Sequence, residues 1–216
     1  MPQRTALIEA AQKMNFLGIN QGTSGNLSLR VGGKMLITPS AIAYDTLEPS
    51  MIPRMDIGPG DGVFEGAYRP SSEWRFHHDI YAARPEVGAI VHNHAPYATA
   101  LSMARREIPA CHYMIARFGG APIRVAPYAL FGTAELSAHV LDALAGRSAC
   151  LMANHGCIAT GPDIASALAA AVELEALAKQ YVLSLTIGGP VLLSDTDIAD
   201  AIHQFATAYG PNTPRQ

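Results

Sequence analysis

Val87-Gly88-Ala89-Ile90-Val91-His92-Asn93-His94, residues 87–94, is the stretch whose reading decides the fold of this chain. Its short run of small and β-branched apolar residues reads as a buried strand. Ala95-Pro96 ends it, since a proline restricts its predecessor and brings no N–H to a ladder. Side chains alternate faces along a strand, so His92 and His94 present two imidazoles on one side. At the strand's end they sit at the rim of a sheet, where a substrate can reach them. Two neutral imidazoles so placed suit a tetrahedral zinc ion, bound at roughly 2.0–2.1 Å. An isolated His-x-His pair is more often surface or packing histidine, so the remaining ligands must come from elsewhere in the chain.

Working outward, Thr5–Leu17 has helical apolar spacing, with Gly18 as its C-terminal stop. Leu27–Val31 and Lys34–Thr38 alternate around Gly32-Gly33 and read as a hairpin. Residues 52–56 and 63–64 read as short strands around a turn at Gly58-Pro59-Gly60-Asp61. Pro70-Ser71-Ser72-Glu73 opens a helix to about Ala83, with Ser71 as N-cap and Glu73 in the first turn. Further helices are expected over about 97–106, 134–145 and 163–185, and from a Ser194-Asp195 cap to about Gly210. Residues 123–126, 149–153 and 157–160 read as strands, the last two flanking Asn154-His155-Gly156. Strands alternating with helices argue for one layered α/β domain over residues 1–216. The early hairpin and short connections favour a mixed or largely antiparallel sheet. No G-x-G-x-x-G follows a strand, so a dinucleotide-binding wind has no support.

The chain has 216 residues, enough for one sizeable core. Only 15% are charged, which leaves surface to be covered in an oligomer. Net charge is −3 with no basic stripe, which argues against a nucleic-acid partner. The N-terminus lacks an apolar h-region, and charges interrupt the most apolar helix, so neither a signal peptide nor a membrane span is expected. Cys111, Cys150 and Cys157 are odd in number and form no C-x-x-C, which fits a reducing cytoplasm.

His155, in a turn between two strands, can complete a three-histidine set. Three protein ligands with one open position is the catalytic zinc pattern, whereas a structural site fills all four. Glu73 is the candidate carboxylate, as a proton carrier or a further metal contact. His77 lies on the same helix face four residues on, and with His78 reads as packing behind the site. Gly25-Asn26, Ser40-Ala41 and Ser71-Ser72 lie in loops that offer hydroxyls and backbone N–H groups to an anion. Ser71-Ser72 adjoin Glu73, so a phosphate there would lie close to the metal.

The stretches NQGTSGNLS (20–28), MLITPSAI (35–42), PSSEWRFH (70–77), AIVHNHA (89–95), IPACHYMIA (108–116), APYALFGTAELSAHV (126–140) and NHG (154–156) together resemble the class II aldolase/adducin family. The likeness runs from about residue 5 to 210, closest to the members that cleave L-fuculose 1-phosphate. It implies a three-layer fold, with a central, mainly antiparallel sheet flanked by helices, assembled as a C4 homotetramer. It implies one zinc ion per subunit on His92, His94 and His155, with Glu73 as acid/base that also approaches the metal. Phosphate contacts are implied at Gly25, Asn26, Ser40, Ala41, Ser71 and Ser72. Tyr113 would transfer a proton in a neighbouring subunit's site; without the resemblance it reads as a core tyrosine. Phe131 and Tyr209 would lie near the aldehyde end of the pocket. The implied reaction is reversible cleavage of a ketose 1-phosphate to dihydroxyacetone phosphate and an aldehyde. Candidate substrates are L-fuculose 1-phosphate and a 5-deoxy- or 5-methylthio-pentulose 1-phosphate from nucleoside salvage.

Sugar-phosphate 4-epimerases and methylthioribulose-1-phosphate dehydratases resemble the same scaffold, and adducin-like interaction domains lack the metal site. The intact histidines and Glu73 argue against the last of these. Two departures from the family pattern stand out. Thr38-Pro39-Ser40-Ala41 replaces Thr-Pro-Thr-Gly, and Ala41 keeps an N–H contact only if its backbone avoids positive φ. Arg117-Phe118 replaces small residues before Gly119-Gly120, which is expected to reshape the interface or the aldehyde pocket. Phe118 would add apolar surface suited to a methylthio substrate.

Overall fold

The computed structural model describes residues 1–58 and 62–207. The predicted turn at Gly58-Pro59-Gly60-Asp61 therefore falls partly outside the described residues, and Tyr209 and the expected helix end near Gly210 fall wholly outside them. The strands are β1 (Asn26–Val31), β2 (Lys34–Ile37), β3 (Arg54–Asp56), β4 (Phe64–Glu65), β5 (Ala89–Asn93), β6 (Val125–Ala126), β7 (Ala149–Met152) and β8 (Gly156–Gly161). The helices are α1 (Pro2–Phe16), α2 (Trp74–Ala83), α3 (Pro96–Met103), α4 (Ala134–Ala143), α5 (Ile164–Leu185) and α6 (Asp195–Thr207).

One sheet has the order β4-β3-β2-β1-β5-β8-β7-β6. Every neighbouring pair is antiparallel except β6 with β7. The expected mixed, mainly antiparallel sheet is therefore present. The β1–β2 hairpin turns at the predicted glycines, with Val31 opposite Lys34. β5 is a central strand, paired with β1 on one side and β8 on the other.

Alternation along β5 sorts its side chains between two apolar layers. Ala89 and Val91 pack with Leu7, Leu101 and Leu174 from the face that α1, α3 and α5 cover. Ile90 packs with Phe76, Ile80 and Val140 from the face that α2 and α4 cover. Each fully buried aliphatic side chain contributes about 1.5–3 kcal/mol, so a one-residue slip of β5 would expose both layers at once. His92 shares the parity of Ile90 and faces α2, with its ring edge-on to Phe76 at 5.5 Å between centroids.

Helix ends follow their residues. Gly18 takes φ +70 after α1, and the Ile19 N–H reaches back to the Met14 carbonyl, a Schellman closure. Asp163 caps α5 by accepting from the Ser166 N–H at 2.7 Å. Ser194 accepts from the Asp197 N–H while Asp197 accepts from the Ser194 N–H, a reciprocal capping box at α6. Ser71 is not the cap of α2. That helix begins at Trp74 with Glu73 as N-cap, and Glu73 makes no side-chain cap bond because its carboxylate is turned into the site. The 3₁₀ segment Tyr113–Phe118 has no periodic signal in the sequence; the His112 side chain starts it by accepting from the Met114 N–H. Among the described residues no helix is long and apolar enough to cross a membrane.

Candidate active site

His92 ends the central strand, and His94 follows one residue past it. The β7–β8 turn brings His155 to them. Asn154 takes φ +55, a left-handed conformation that asparagine tolerates better than most residues, and this lets the turn be tight. Gly156 then passes so close to β5 that a Cβ would lie 2.5 Å from the Asn93 carbonyl oxygen and 2.7 Å from the His94 ring. Only glycine allows that approach. The ring centroids of His92, His94 and His155 consequently lie 4.9–5.2 Å apart.

Their nitrogens are set to bind a cation. The three rings each offer one atom, and these atoms lie within 4.8 Å of one another. His92 Nδ1 lies 3.0 Å from the Cys157 carbonyl oxygen, which has no proton to give. Nδ1 therefore carries the hydrogen and the Nε2 lone pair faces the site, the tautomer a metal needs. His92 Nε2, His94 Nε2 and Glu73 Oε1 are all buried without a hydrogen-bond partner. Glu73 faces these nitrogens, with Oε2 3.2 Å from His92 Nε2 and Oε1 3.1 Å from His155 Nε2. Lone pairs at that range repel unless a positive charge lies among them, so the donor set fits a metal ion. Burial, with His92 and His155 adding to it, pulls His94 down to about 4, so it is a neutral ligand at neutral pH. Burial alone would push the Glu73 carboxyl up. The imidazoles of His92 and His155 facing it outweigh this and hold it below the usual carboxylate range.

The loops from which phosphate contacts are expected converge in part. The Ser40 N–H donates to the Arg69 carbonyl, the Ser71 N–H donates to the Thr38 carbonyl, and Pro39 bridges Pro70. This lacing places Ser40, Ser71 and Ser72 on the wall of one cavity of about 540 Å³, alongside Arg69 and Trp74. Gly25, Asn26 and Ala41 are not on that wall. The Asn26 amide is committed instead to Glu73 Oε2 at 2.9 Å and to His77 Nε2 at 2.6 Å. Ala41 takes φ +58, so the condition that its backbone avoid the left-handed region is not met. The turn keeps the shape a glycine would give it, at a strain cost of roughly 1–2 kcal/mol.

Tyr113 is not a core residue. It is 54% exposed on its 3₁₀ segment, stacked on His112 at 4.8 Å and parallel to Phe205 at 6.2 Å. Phe131 is also exposed. The following Gly132, at φ +76, lies so near Ser72 that a Cβ would be 2.7 Å from its carbonyl oxygen, and this ties the Phe131 loop to the wall of that cavity. Arg117 and Phe118 do not shape that region. Phe118 is buried in the core beneath α5, and Arg117 faces Glu173 at 3.8 Å. Both line a cavity with Thr160 and Gly161, at the end of β8 away from His155. The 3₁₀ geometry turns this ring inward, so Phe118 offers no apolar surface to a substrate.

Sequence reasoning placed His77 behind the site but missed the chain that continues from it. His77 Nδ1 meets Ser28 Oγ at 2.7 Å, and Ser28 Oγ meets the Tyr81 hydroxyl at 2.8 Å. The available signal was the i+4 spacing of Glu73, His77 and Tyr81 along one stretch.

Comparison with known proteins agrees with this geometry. Residues 5–182 match the family described as Class II Aldolase and Adducin N-terminal domain. The 5-methylthioribulose-1-phosphate/5-deoxyribulose-1-phosphate aldolase of Rhodospirillum rubrum is 50% identical over 209 residues, covering 97% of this chain and 93% of the relative. The L-fuculose phosphate aldolase of Escherichia coli K12 is 49% identical over 205 residues, covering 94% of each. A solved structure of an L-fuculose 1-phosphate aldolase superposes with a TM-score of 0.91 at 39% identity, over 95% of this chain and 96% of that one. Shared fold, near-complete coverage and identity near one half place this chain in the class II aldolase and adducin N-terminal domain family, as an enzyme of its aldolase class, a lyase.

Proposed function

We propose that this enzyme is a zinc-dependent aldolase that reversibly cleaves a ketose 1-phosphate into dihydroxyacetone phosphate and an aldehyde. One observation carries the reading: three imidazole nitrogens converge on a buried carboxylate whose sequence neighbours Ser71 and Ser72 line a cavity together with Ser40. His92, His94 and His155 would hold the ion, with Glu73 close enough to approach it. When bound, zinc supplies Lewis-acid stabilisation of the charge that develops on the ketone fragment as the C3–C4 bond breaks.

The chain's own residues do the rest. Ser40, Ser71 and Ser72 bind the phosphate, a group that does not react, and so reduce the entropy cost of alignment. Ala41 shapes the turn that carries Ser40, and Gly25 and Asn26, at the start of β1, hold Glu73 through the Asn26 amide. In condensation the Glu73 carboxylate removes a proton from the hydroxymethyl carbon and becomes the neutral acid; in cleavage that neutral acid, its proton drawn from solvent, gives the proton to the enediolate carbon and is left ionised. Tyr113, exposed and with no partner for its hydroxyl among the described residues, takes the proton of the C4 hydroxyl as it releases its own to solvent, in the site of a neighbouring subunit. Phe131, beside Ser72, faces the aldehyde; Tyr209, assigned to the same end by the resemblance, lies outside the described residues. This reading makes the protein a cytoplasmic C4 tetramer, consistent with three free cysteines.

The substrate is an L-fuculose 1-phosphate or a 5-deoxy- or 5-methylthio-pentulose 1-phosphate, the latter from nucleoside salvage. The two relatives of nearly equal identity act on these two kinds of sugar by name. Turnover of each candidate, with the aldehyde trapped by a coupled reductase, decides between them. Aldehyde release also separates an aldolase from an epimerase or a dehydratase. Chelation is expected to abolish turnover and zinc to restore it. Full activity in metal-stripped protein would remove this mechanism.

A further inference from the structure

We infer that His77, held by Ser28 and Tyr81, is a positioning residue that orients the Glu73 carboxylate through Asn26. The inference rests on Glu73 being the proton carrier proposed above. It starts from a chain of buried side chains that touches neither the histidine set nor the phosphate cavity at its far end. Asn26, Ser28, His77 and Tyr81 are all at most 4% exposed. β1 contributes Asn26 and Ser28, alternate residues on one face, and α2 contributes His77 and Tyr81, one turn apart.

The direction of every hydrogen bond follows from the carboxylate. An ionised carboxylate only accepts, so the Asn26 amide must present its NH₂ to Glu73 Oε2. Asn26 Oδ1 then faces His77, and His77 Nε2 must carry the hydrogen to donate across 2.6 Å. In the neutral ring Nδ1 is an acceptor, so the Ser28 hydroxyl donates to it at 2.7 Å. Ser28 Oγ in turn accepts from the Tyr81 hydroxyl at 2.8 Å. Burial pushes the Tyr81 phenol up, which keeps it a donor. Arg30 lies over the Tyr81 ring at 4.8 Å and donates to the Tyr81 carbonyl at 2.7 Å, and this fixes the end of the chain. No link can be reversed without leaving a buried group unpaired, which makes the chain a stiff support rather than a set of independent contacts.

The consequence falls on the two oxygens of Glu73 unequally. Oε2 is pinned by Asn26, whereas Oε1 receives no hydrogen bond. The carboxylate is held by one oxygen and leaves the other for proton transfer. Phe76, stacked on His77 at 4.7 Å and edge-on to His92 at 5.5 Å, keeps this support in register with the histidine set.

The test follows proton exchange between dihydroxyacetone phosphate and heavy water by NMR, alongside kcat and KM for cleavage. In exchange, the carboxylate takes a proton from the hydroxymethyl carbon, the C–H pair enters the enediolate, and a solvent deuteron returns to the same carbon. Four zinc-loaded variants are compared with wild type: Glu73→Gln, His77→Met, His77→Gln and Ser28→Ala. Glu73→Gln should abolish exchange. His77→Met should lower both exchange and kcat by about tenfold or more with KM nearly unchanged, since one buried bond to the support is lost. His77→Gln, whose amide N–H can still reach Asn26 Oδ1, should recover most of that loss. Ser28→Ala should lower exchange several-fold, and it decides alone if His77→Met does not fold. Wild-type exchange in folded His77→Met and Ser28→Ala, with Glu73→Gln inactive, overturns the positioning role. Wild-type exchange in Glu73→Gln instead overturns the proton carrier on which it rests.

Discussion

The Asn26 amide nitrogen lies 2.9 Å from Glu73 Oε2, joining a strand and a helix cap 47 positions apart in the chain. Because Glu73 is the N-cap of α2 and not part of its first turn, its side chain leaves the helix axis and enters the site. A carboxylate held in this way is suited to one proton transfer at one carbon. Glu73→Gln keeps the shape, removes the charge and cannot accept a proton. It should retain zinc and lose about 100- to 10,000-fold in kcat, the range for general acid–base groups. Metal content by elemental analysis and turnover by the coupled reductase assay check this. Turnover near wild type would take Glu73 out of the chemistry.

This relationship also marks how far the sequence could be read. β5, the early hairpin and the histidine set are legible because strand parity and Gly/Pro punctuation are local signals. His155 became legible through the turn that carries it. The partner of Asn26 was not legible. Its loop looks like an anion loop in sequence, and only the pairing of β1 beside β5, with Asn26 opposite His92, turns its amide toward Glu73. Phe118 was misread for a similar reason: a 3₁₀ turn has no periodic pattern to show which way its ring points. The convergence of Ser40 with Ser71 and Ser72 depends on backbone bonds between loops about 30 residues apart, which composition does not encode.

Ala41 stands at φ +58 in a turn where the family pattern has glycine. Replacing it with glycine should remove left-handed strain of about 1–2 kcal/mol while adding unfolded-chain entropy of about 0.4–1 kcal/mol. The expected net effect of Ala41→Gly is stabilisation of about 0.5–1 kcal/mol, read from the urea midpoint at constant m. Ala41→Val, with a β-branched side chain at positive φ, should lower the midpoint. A lower midpoint in Ala41→Gly would show that the strain is relieved elsewhere.

Tyr113 is exposed, and its hydroxyl meets no partner among the described residues. If its work is done in another subunit's site, two different inactive chains can complement each other. Tyr113→Phe and Glu73→Gln should each be nearly inactive alone and have melting temperatures close to wild type. Co-expressed as mixed oligomers, they should recover a readily measured fraction of wild-type turnover, from sites that pair an intact Glu73 with an intact Tyr113. Mixed oligomers no more active than the two parents would place Tyr113 in the site of its own chain.

His77 is fully buried, and burial first, then the nearby His92, pull it down to about 3 from the ordinary histidine value of 6.5. The unfolded chain binds a proton near 6.5 that the folded chain does not take up until about 3. Between these values the unfolded state holds more protons, so stability is fully present above about 6.5 and is lost as pH falls. The slope from this one group approaches about 1.4 kcal/mol per pH unit. His94, down at about 4, acts in the same direction, so wild type alone cannot isolate His77. His77→Gln can, because glutamine does not titrate and His94 remains. Urea unfolding from pH 7.5 to 4.5, with chelator present so that metal release does not contribute, should show wild type losing stability more steeply than His77→Gln below about pH 6.5. Parallel curves would mean that His77 takes up its proton without leaving its bonds to Asn26 and Ser28, and would assign the acid sensitivity of the fold to the histidine set instead.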